Sequence, residues 1–317
     1  MTSASCGDPP TAGAEPRATA EARVRAGAVS ETAAEVAERT ARAAGVRVTE
    51  LFEIDDFVRV YRLFDEIWRS EPGNAPISVE MMRALSHTGN YVAGAYRQER
   101  LVGASVAFLA APAGRVLHSH VTGAVTHTVT HTVADTVTGA ATGRGVGFAL
   151  KQHQRAWALQ RGLERVTWTY DPLVRRNAHF NLTKLGARPV EYLPSFYGAM
   201  DDVINAGDES DRLLVSWPLT APHVLAAAAG APASTPAPAD AVVGLGDDRG
   251  CPVPGRTDAP VVLVAVPADI ETMRHTDPGA ARAWRQAVRE VLGGLMAQDA
   301  QVVGFHQGDG YVVHRPA

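Results

Sequence analysis

From Val46 onward the apolar positions switch repeatedly between a two-residue and a three-to-four-residue period, the mark of strands alternating with helices. Val48 to Phe52 predicts a short strand. Asp55 to Arg69 predicts a helix carrying Phe57, Val58, Tyr61, Leu63, Phe64 and Trp68 on or near one broad face, and Ser78 to Ser86 predicts a second. Tyr91 to Tyr96 and Leu101 to Leu109 read as two strands joined by Arg97-Gln98-Glu99-Arg100, a hairpin-length loop, and a third strand runs from Val116 to His120. Phe148 to Arg161 is an amphipathic helix, and Arg165 to Tyr170 is a strand by its Val, Thr, Trp and Tyr content. Asn177 to Leu185 predicts a helix stopped by Gly186, followed by short strands around Pro189 to Leu193 and Phe196 to Met200. This order places an antiparallel meander where a dinucleotide fold would alternate strand and helix without interruption.

The flanks read differently. Met1 to about Ala20 is Ala, Pro, Gly, Ser and Thr without a period and reads as a disordered tail, while Glu21 to Ala44 is Ala, Glu and Arg rich and reads as a helix. Val121-Thr122-Gly123-Ala124 recurs as Val137-Thr138-Gly139-Ala140, with a Val-Thr-His-Thr repeat between. That alternation predicts a β-ribbon inserted over about 121–140, with Thr126, Thr128, Thr130 and Thr132 on one side. Past Met200, Asp201 to Arg212 is polar, Leu213 to Trp217 is a strand, and Pro232 to Pro238 is a linker. Val261 to Val266, Ala280 to Met296, Val302 to Phe305 and Tyr311 to His314 then give strand, helix, strand and strand. The expected division is a tail over 1–45, a core domain over 46–200 and a small α/β C-terminal lobe over 201–317.

Composition narrows the class. The 317 residues are 46% hydrophobic with a formal net charge of -4, which argues against a dedicated nucleic-acid or membrane-surface protein. Cys6 and Cys251 are too few for a disulfide framework and lack zinc spacing, so a reducing, cytoplasmic setting is expected. The N-terminal stretch has no secretory pattern, and no apolar run is long enough to span a bilayer.

The stretch that points to a chemistry is Thr142-Gly143-Arg144-Gly145-Val146-Gly147, opening directly into the Phe148 helix. A glycine turn at a helix start lets backbone N–H groups crowd around a diphosphate, helped by the helix dipole. With one copy of the repeat removed, the strand Leu117-His118-Ser119-His120 runs through Val-Thr-Gly-Ala into this turn, and the stretch resembles the acetyl-CoA motif of the GNAT acyltransferase superfamily. Gly145 and Gly147 match the motif's small positions, and Thr142 stands where the family usually has Arg or Gln. Asn177 and Lys184-Leu185-Gly186 resemble the family's second conserved helix, with Leu182 where many members carry a tyrosine that protonates the departing thiolate. Tyr170-Asp171-Pro172-Leu173, Asn205-Ala206-Gly207-Asp208 and Asp211-Arg212-Leu213 look like a poorly characterised bacterial branch of that superfamily. The resemblance covers roughly Val46 to Met200. It implies a mixed, mainly antiparallel central sheet flanked by helices, and an acyl-CoA, most simply acetyl-CoA, as co-substrate for an amine in a ternary complex. Thr142, Gly143, Arg144, Gly145, Val146, Gly147, Asn177 and Asn181 are the residues expected to hold it, with no metal.

An amine of lysine type is almost wholly protonated at neutral pH, so a positioned base is expected. His118 and His120 are two apart on one strand face, and either can serve; the plain alternative is a pair of half-exposed strand histidines. Asp171 is a second candidate base, against its reading as an Asp-Pro turn former, and His179 and Asn181 sit where a thiol acid is expected. Lys151 and Arg155 lie on the expected polar side of the Phe148 helix, either reaching a coenzyme A phosphate or simply solvated, opposite Leu150 and Trp157. Trp168 and Tyr170 read as core. His127 and His131 with His118 and His120 offer a metal set, but repeat expansion explains the first two better. Two rivals stand beside the acyltransferase. One is a dinucleotide oxidoreductase using Glu164 for a ribose hydroxyl, disfavoured by Gly-x-Gly-x-Gly spacing; the other is a non-catalytic acyl-CoA-binding or sensor protein.

Overall fold

The computed structural model describes residues 29, 32–68, 76–125, 145–198, 208–232, 239–306 and 310–316. The N-terminal tail, the ribbon from residue 126, Thr142, Gly143 and Arg144 of the glycine turn, and most of the linker therefore lie outside the described residues. A helix over 32–43 (α1) leads into β1 (Arg47–Glu50), α2 (Ile54–Trp68) and α3 (Val79–His87). The meander follows as β2 (Tyr91–Arg97), β3 (Arg100–Ala110) and β4 (Val116–Ala124). Then come α4 (Val146–Gln160), β5 (Arg165–Tyr170), α5 (Arg175–Ala178) widening into a π turn over His179–Lys184, β6 (Arg188–Leu193) and β7 (Arg212–Pro218). These strands form one sheet in the order β1-β2-β3-β4-β5-β7-β6, where β4 and β5 are parallel and the other pairs antiparallel.

The remainder adds α6 (Pro222–Ala228), β8 (Val242–Asp248), β9 (Cys251–Pro254), β10 (Val261–Ala265), α7 (Ile270–Thr276), α8 (Pro278–Val288), β11 (Gln301–His306) and β12 (Gly310–His314). Its five strands pair in the order β11-β12-β10-β8-β9. The fold class is thus the expected one: a mixed, mainly antiparallel sheet flanked by helices, with a smaller α/β lobe after it. Among the described residues no helix is long and apolar enough to cross a membrane.

Local chemistry explains the helix positions. Asp55 and Asp56 favour the positive end of α2, whose Phe57, Val60, Leu63 and Phe64 are buried against Val92, Tyr96, Ala104 and Val106 of the sheet. Ser78 caps α3, its Oγ accepting from the Met81 N–H at 3.2 Å, and Asp277 caps α8 through the Ala280 N–H at 2.9 Å ahead of Pro278. The opposite sheet face takes α4, where Val146, Ala149 and Leu150 pack with Ala95 and Val102, and Trp157 packs with Tyr91.

Several expectations need correction. β7 belongs to the first sheet, between β5 and β6, so that sheet extends past residue 200. Its register puts Trp217 against Val166 and Val215 against Trp168, a core position that chain order alone does not reveal. Residues 194–197 form a turn instead of the expected Phe196 strand. The Asn177 helix is a short α-turn followed by a π turn, and α6, α7, β8 and β9 were not anticipated because they are short and lack a clean period.

A buried charge network joins the two sheets. Asp171, at the end of β5, and Asp208 face Arg274 of α7 and Arg285 of α8. Arg285 grips Asp171 with two bonds of 2.9 Å, and the same guanidinium reaches Asp208 at 2.9 Å. Beside them Arg289 donates to Asp211 Oδ2 at 2.9 Å, and the Tyr192 hydroxyl donates to the same oxygen at 2.7 Å. Tyr170 donates to Tyr311 of β12, whose hydroxyl donates to Pro172 O at 2.7 Å. Burial alone would raise the Asp171 pKa, but Arg285 and then Arg274 outweigh it and hold the carboxyl well below its usual range. Asp171 therefore stays ionised at neutral pH, with both carboxylate oxygens bonded to arginines.

Arg285→Met, which strands Asp171 and Asp208 with fewer cations, is expected to cost about 3 kcal/mol in urea unfolding at pH 7. Because the folded pKa of Asp171 is depressed, its stabilisation is full above the ordinary carboxylate range near pH 4 and is lost as pH falls below it. Asp171→Asn should lower stability at pH 7 and flatten the acid limb of the curve; an unchanged acid limb contradicts this assignment.

Candidate functional site

The central event in the first sheet is that β4 and β5 part company. Their parallel ladder covers Val116↔Arg165, Leu117↔Val166 and His118↔Thr167 and then ends, although both strands continue. β4 stays on β3, and β5 stays on β7. A β-bulge falls at the same place: Ala107 pairs with Ser119 and Val106 with Val121, leaving His120 without a partner on β3. The bulge also switches the faces of β4, since Leu117 and Ser119 meet α4 before it, whereas after it Ala124 does so and Thr122 is linked to α4 through Ser105 and Gln154.

The gap opens as a cleft of about 210 Å³ bounded by Ser119, His120 and Thr122 of β4, Trp168 and Thr169 of β5, and Gly147 and Lys151 of α4. Asn177, Phe180 and Asn181 close its far side. At one end α4 begins without a side-chain cap and without an acidic residue in its first turn, so its leading N–H groups are uncommitted by either device. Gly145 at the cap has φ +92, a conformation that favours glycine. A Cβ on Gly147 would meet nothing nearer than Phe180 at 4.0 Å, so the cleft is open along this backbone.

Gly145, Val146 and Gly147 thus stand at the helix start as expected, with the Val146 side chain buried beneath. Asn177 and Asn181 are brought to the cleft, and Asn181 Oδ1 accepts from Trp168 Nε1 at 3.2 Å. The two histidines share a face, both near the Phe108 ring, yet they differ in setting. His118 bonds Thr167 Oγ1 at 3.1 Å, and burial, with His120 and Lys151 nearby, pushes its pKa down to about 4, so it is neutral at physiological pH. His120 is exposed and its Nε2 lies 3.1 Å from the Pro76 carbonyl. A carbonyl only accepts, so Nε2 is the donor in this bond. His120 also lines a second cavity of about 400 Å³ with Pro76, Ile77, Ser78, Met81, Leu85 and Phe108. Among the described residues it is the side chain shared by the two cavities. Asp171 and His179 do not line the cleft, and Leu182 is buried in the core, 3% exposed.

The residue that sequence reasoning misjudged is Lys151. It is 4% exposed, and its Nζ donates to Ser119 Oγ at 2.8 Å and to Gln154 Oε1 at 3.2 Å, 4.0 Å from the centre of the Trp168 ring. Gln154 Nε2 in turn donates to Ser105 Oγ, which pairs with Thr122 Oγ1 at 2.8 Å. No carboxylate among the described residues pairs with Lys151, and burial pushes its pKa down to about 7. Arg155 is likewise buried, with Nε and Nη2 on the Leu219 carbonyl at 2.9 and 2.7 Å. Helical period places these groups opposite Trp157, but α4 is covered on that side too.

No family model and no curated protein matches the chain. Among solved structures it is similar to the aminoglycoside 6'-N-acetyltransferase from Enterococcus faecium, at 15% identity over 55% of this chain and 98% of that one, TM-score 0.40. It is similar also to the ribosomal-protein-S18-alanine N-acetyltransferase from Escherichia coli, at 11% identity over 56% and 95%, TM-score 0.40. An aminoglycoside 6'-N-acetyltransferase complexed with coenzyme A aligns at 14% identity over 55% and 98%, TM-score 0.38. Overlaps of this size leave the cleft's own geometry to carry the function.

A buried lysine with a lowered pKa opposes folding most below that pKa, and the penalty fades as pH rises from about 7 toward the unfolded value near 10.4. Lys151→Met is accordingly expected to raise stability by roughly 2–4 kcal/mol at pH 7. The gain should shrink steadily in unfolding curves taken from pH 7 to 10; a gain independent of pH would contradict the shifted pKa.

Proposed function

We propose that this chain is an acyl-CoA-dependent N-acyltransferase that moves an acyl group to an amine by direct transfer in a ternary complex. The observation that carries the reading is the opening between β4 and β5, with an uncapped helix start at one end and a lone histidine at the other. The residues fit a diphosphate-bearing thioester: the Gly145 and Gly147 backbone leaves space at the α4 start, and that end carries a positive dipole with no acidic side chain in the first turn. When bound, an acyl-CoA supplies a thioester carbon at which an amine forms an amide as the C–S bond breaks. Asn177 and Asn181 offer amide groups to orient the ligand within the cleft.

His120 holds the base position. Its Nε2–H is anchored on Pro76 O, so Nδ1 takes the proton that the amine nitrogen loses, while the thiolate departs on the cleft side. The neighbouring cavity of Ile77, Met81, Leu85 and Phe108 then accepts the body of the amine, which favours an acceptor with apolar surface. His118 supports this arrangement as a neutral ring bonded to Thr167.

One observation favours a second reading, a non-catalytic acyl-CoA-binding protein. Leu182 is buried and apolar at the position where the resemblance implied a tyrosine acid. Binding and turnover separate the two. Calorimetry should show coenzyme A binding that Gly145→Asp weakens about tenfold or more, by placing a side chain and a negative charge at the helix start. In a thiol-release assay across an amine panel, His120→Ala should lower kcat about 100-fold or more with coenzyme A affinity retained. Binding without thiol release for any amine would establish the second reading, and no binding would end both.

A further inference from the structure

Lys151 is the one charged residue among those that line the cleft in the described part of the chain, apart from the titratable His120, and no aspartate or glutamate lines it. It sits one helical turn beyond Gly147, about 6 Å further along the α4 axis, so it lies toward the His120 end and away from the helix start. Its partners, Ser119, Gln154 and the Trp168 ring, are all neutral. A buried ammonium held only by neutral groups is costly, and a fold keeps one where an anion completes it. Trp168 favours the cationic form, because its ring face attracts a positive charge.

Resting on the acyl-CoA reading, we infer that the cleft selects an acyl group ending in a carboxylate, of the short dicarboxylic type, with Lys151 as the seat of that carboxylate. With His120 as the base, the thioester would sit beside it, and Ser119, the residue before His120, accepts from Lys151 Nζ at 2.8 Å. The carboxylate accepts a charge-assisted bond from Lys151 Nζ and hydrogen bonds from the neighbouring Ser119 and Thr122 hydroxyls, which line the same cleft. A monocarboxylic acyl group such as acetyl offers Lys151 no such partner.

The groups facing Lys151 are few. His118 and His120 come from β4, Tyr170 from β5 has its hydroxyl on Tyr311, and α5 with its π turn contributes the neutral Asn177, Phe180 and Asn181. Lys151 is mostly neutral at pH 8, since burial holds its pKa near about 7, whereas a bound carboxylate draws a proton onto it. Affinity for a dicarboxylic acyl-CoA therefore falls as pH rises above about 7, and binding is accompanied by proton uptake.

The test is calorimetry of the full chain with coenzyme A, acetyl-CoA and succinyl-CoA at pH 8, in two buffers of different ionisation enthalpy. Succinyl-CoA is expected to bind about tenfold or more tightly than acetyl-CoA with uptake of a fraction of a proton, the scale of one charge-assisted contact. In Lys151→Met both the preference and the uptake should vanish while coenzyme A still binds. Equal affinity for the two acyl-CoAs, or a preference that survives in Lys151→Met, overturns the carboxylate seat and leaves the acyl-CoA reading standing. No binding of any of the three overturns both. The proton uptake is read on the unsubstituted protein, so the test does not depend on a variant folding.

Discussion

The separation of β4 from β5 after His118 and Thr167 is the constraint on which the rest of the first sheet turns. Parallel strands gain a hydrogen bond with each residue paired, so a ladder that stops while both strands run on must be compensated on their other edges. Here β3 holds β4 and β7 holds β5, which is why β7, arriving late in the chain, is inserted beside β5 and not at the sheet's rim. The bulge at His120 turns β4 away at the same point and changes which residues meet α4. A cleft with a polar wall, a helix start at one end and a histidine at the other follows from that single divergence.

The C-terminal lobe has a clear physical relation to this cleft. Asp171 directly follows β5, and the Arg274 and Arg285 guanidiniums fix that end from the second sheet's helices. Tyr170, which lines the cleft, is tied to Tyr311 by its hydroxyl. The lobe therefore braces the strand that forms one wall, through buried charges that are fully paired and so rigid in geometry. The three short strings read in the sequence as resembling a bacterial branch of the superfamily carry Asp171, Asp208 and Asp211, and all three aspartates bind arginines of the α7 and α8 region.

The balance between burial and charge decides the state of each titratable group in and around the cleft. Burial makes His118 a neutral hydrogen-bonding ring and leaves Lys151 poised near neutrality, whereas Asp171, equally buried, stays ionised because two arginines meet it. Three titratable side chains that a sequence reader would weigh alike thus end in three different states.

The sequence by itself determined the elements with strong local signals. The period-two runs of β2, β3 and β5, the capped α3 and the glycine-opened α4 lie close to where pattern placed them, because strand alternation, capping and glycine freedom act within a few residues. The antiparallel meander, the residues Gly145 to Gly147 at the helix start and the shared face of His118 and His120 were legible for the same reason, whereas the mixed sheet was an expectation drawn from the family resemblance. Tertiary structure alone decided the place of β7, the pairing of Asp171 with Arg285 across 114 positions of chain, and the burial of Lys151 and Arg155 on what period marks as a polar face. Those outcomes depend on which surfaces meet after the chain closes, and a local pattern records only what a residue does to its near neighbours, not what distant segments later cover.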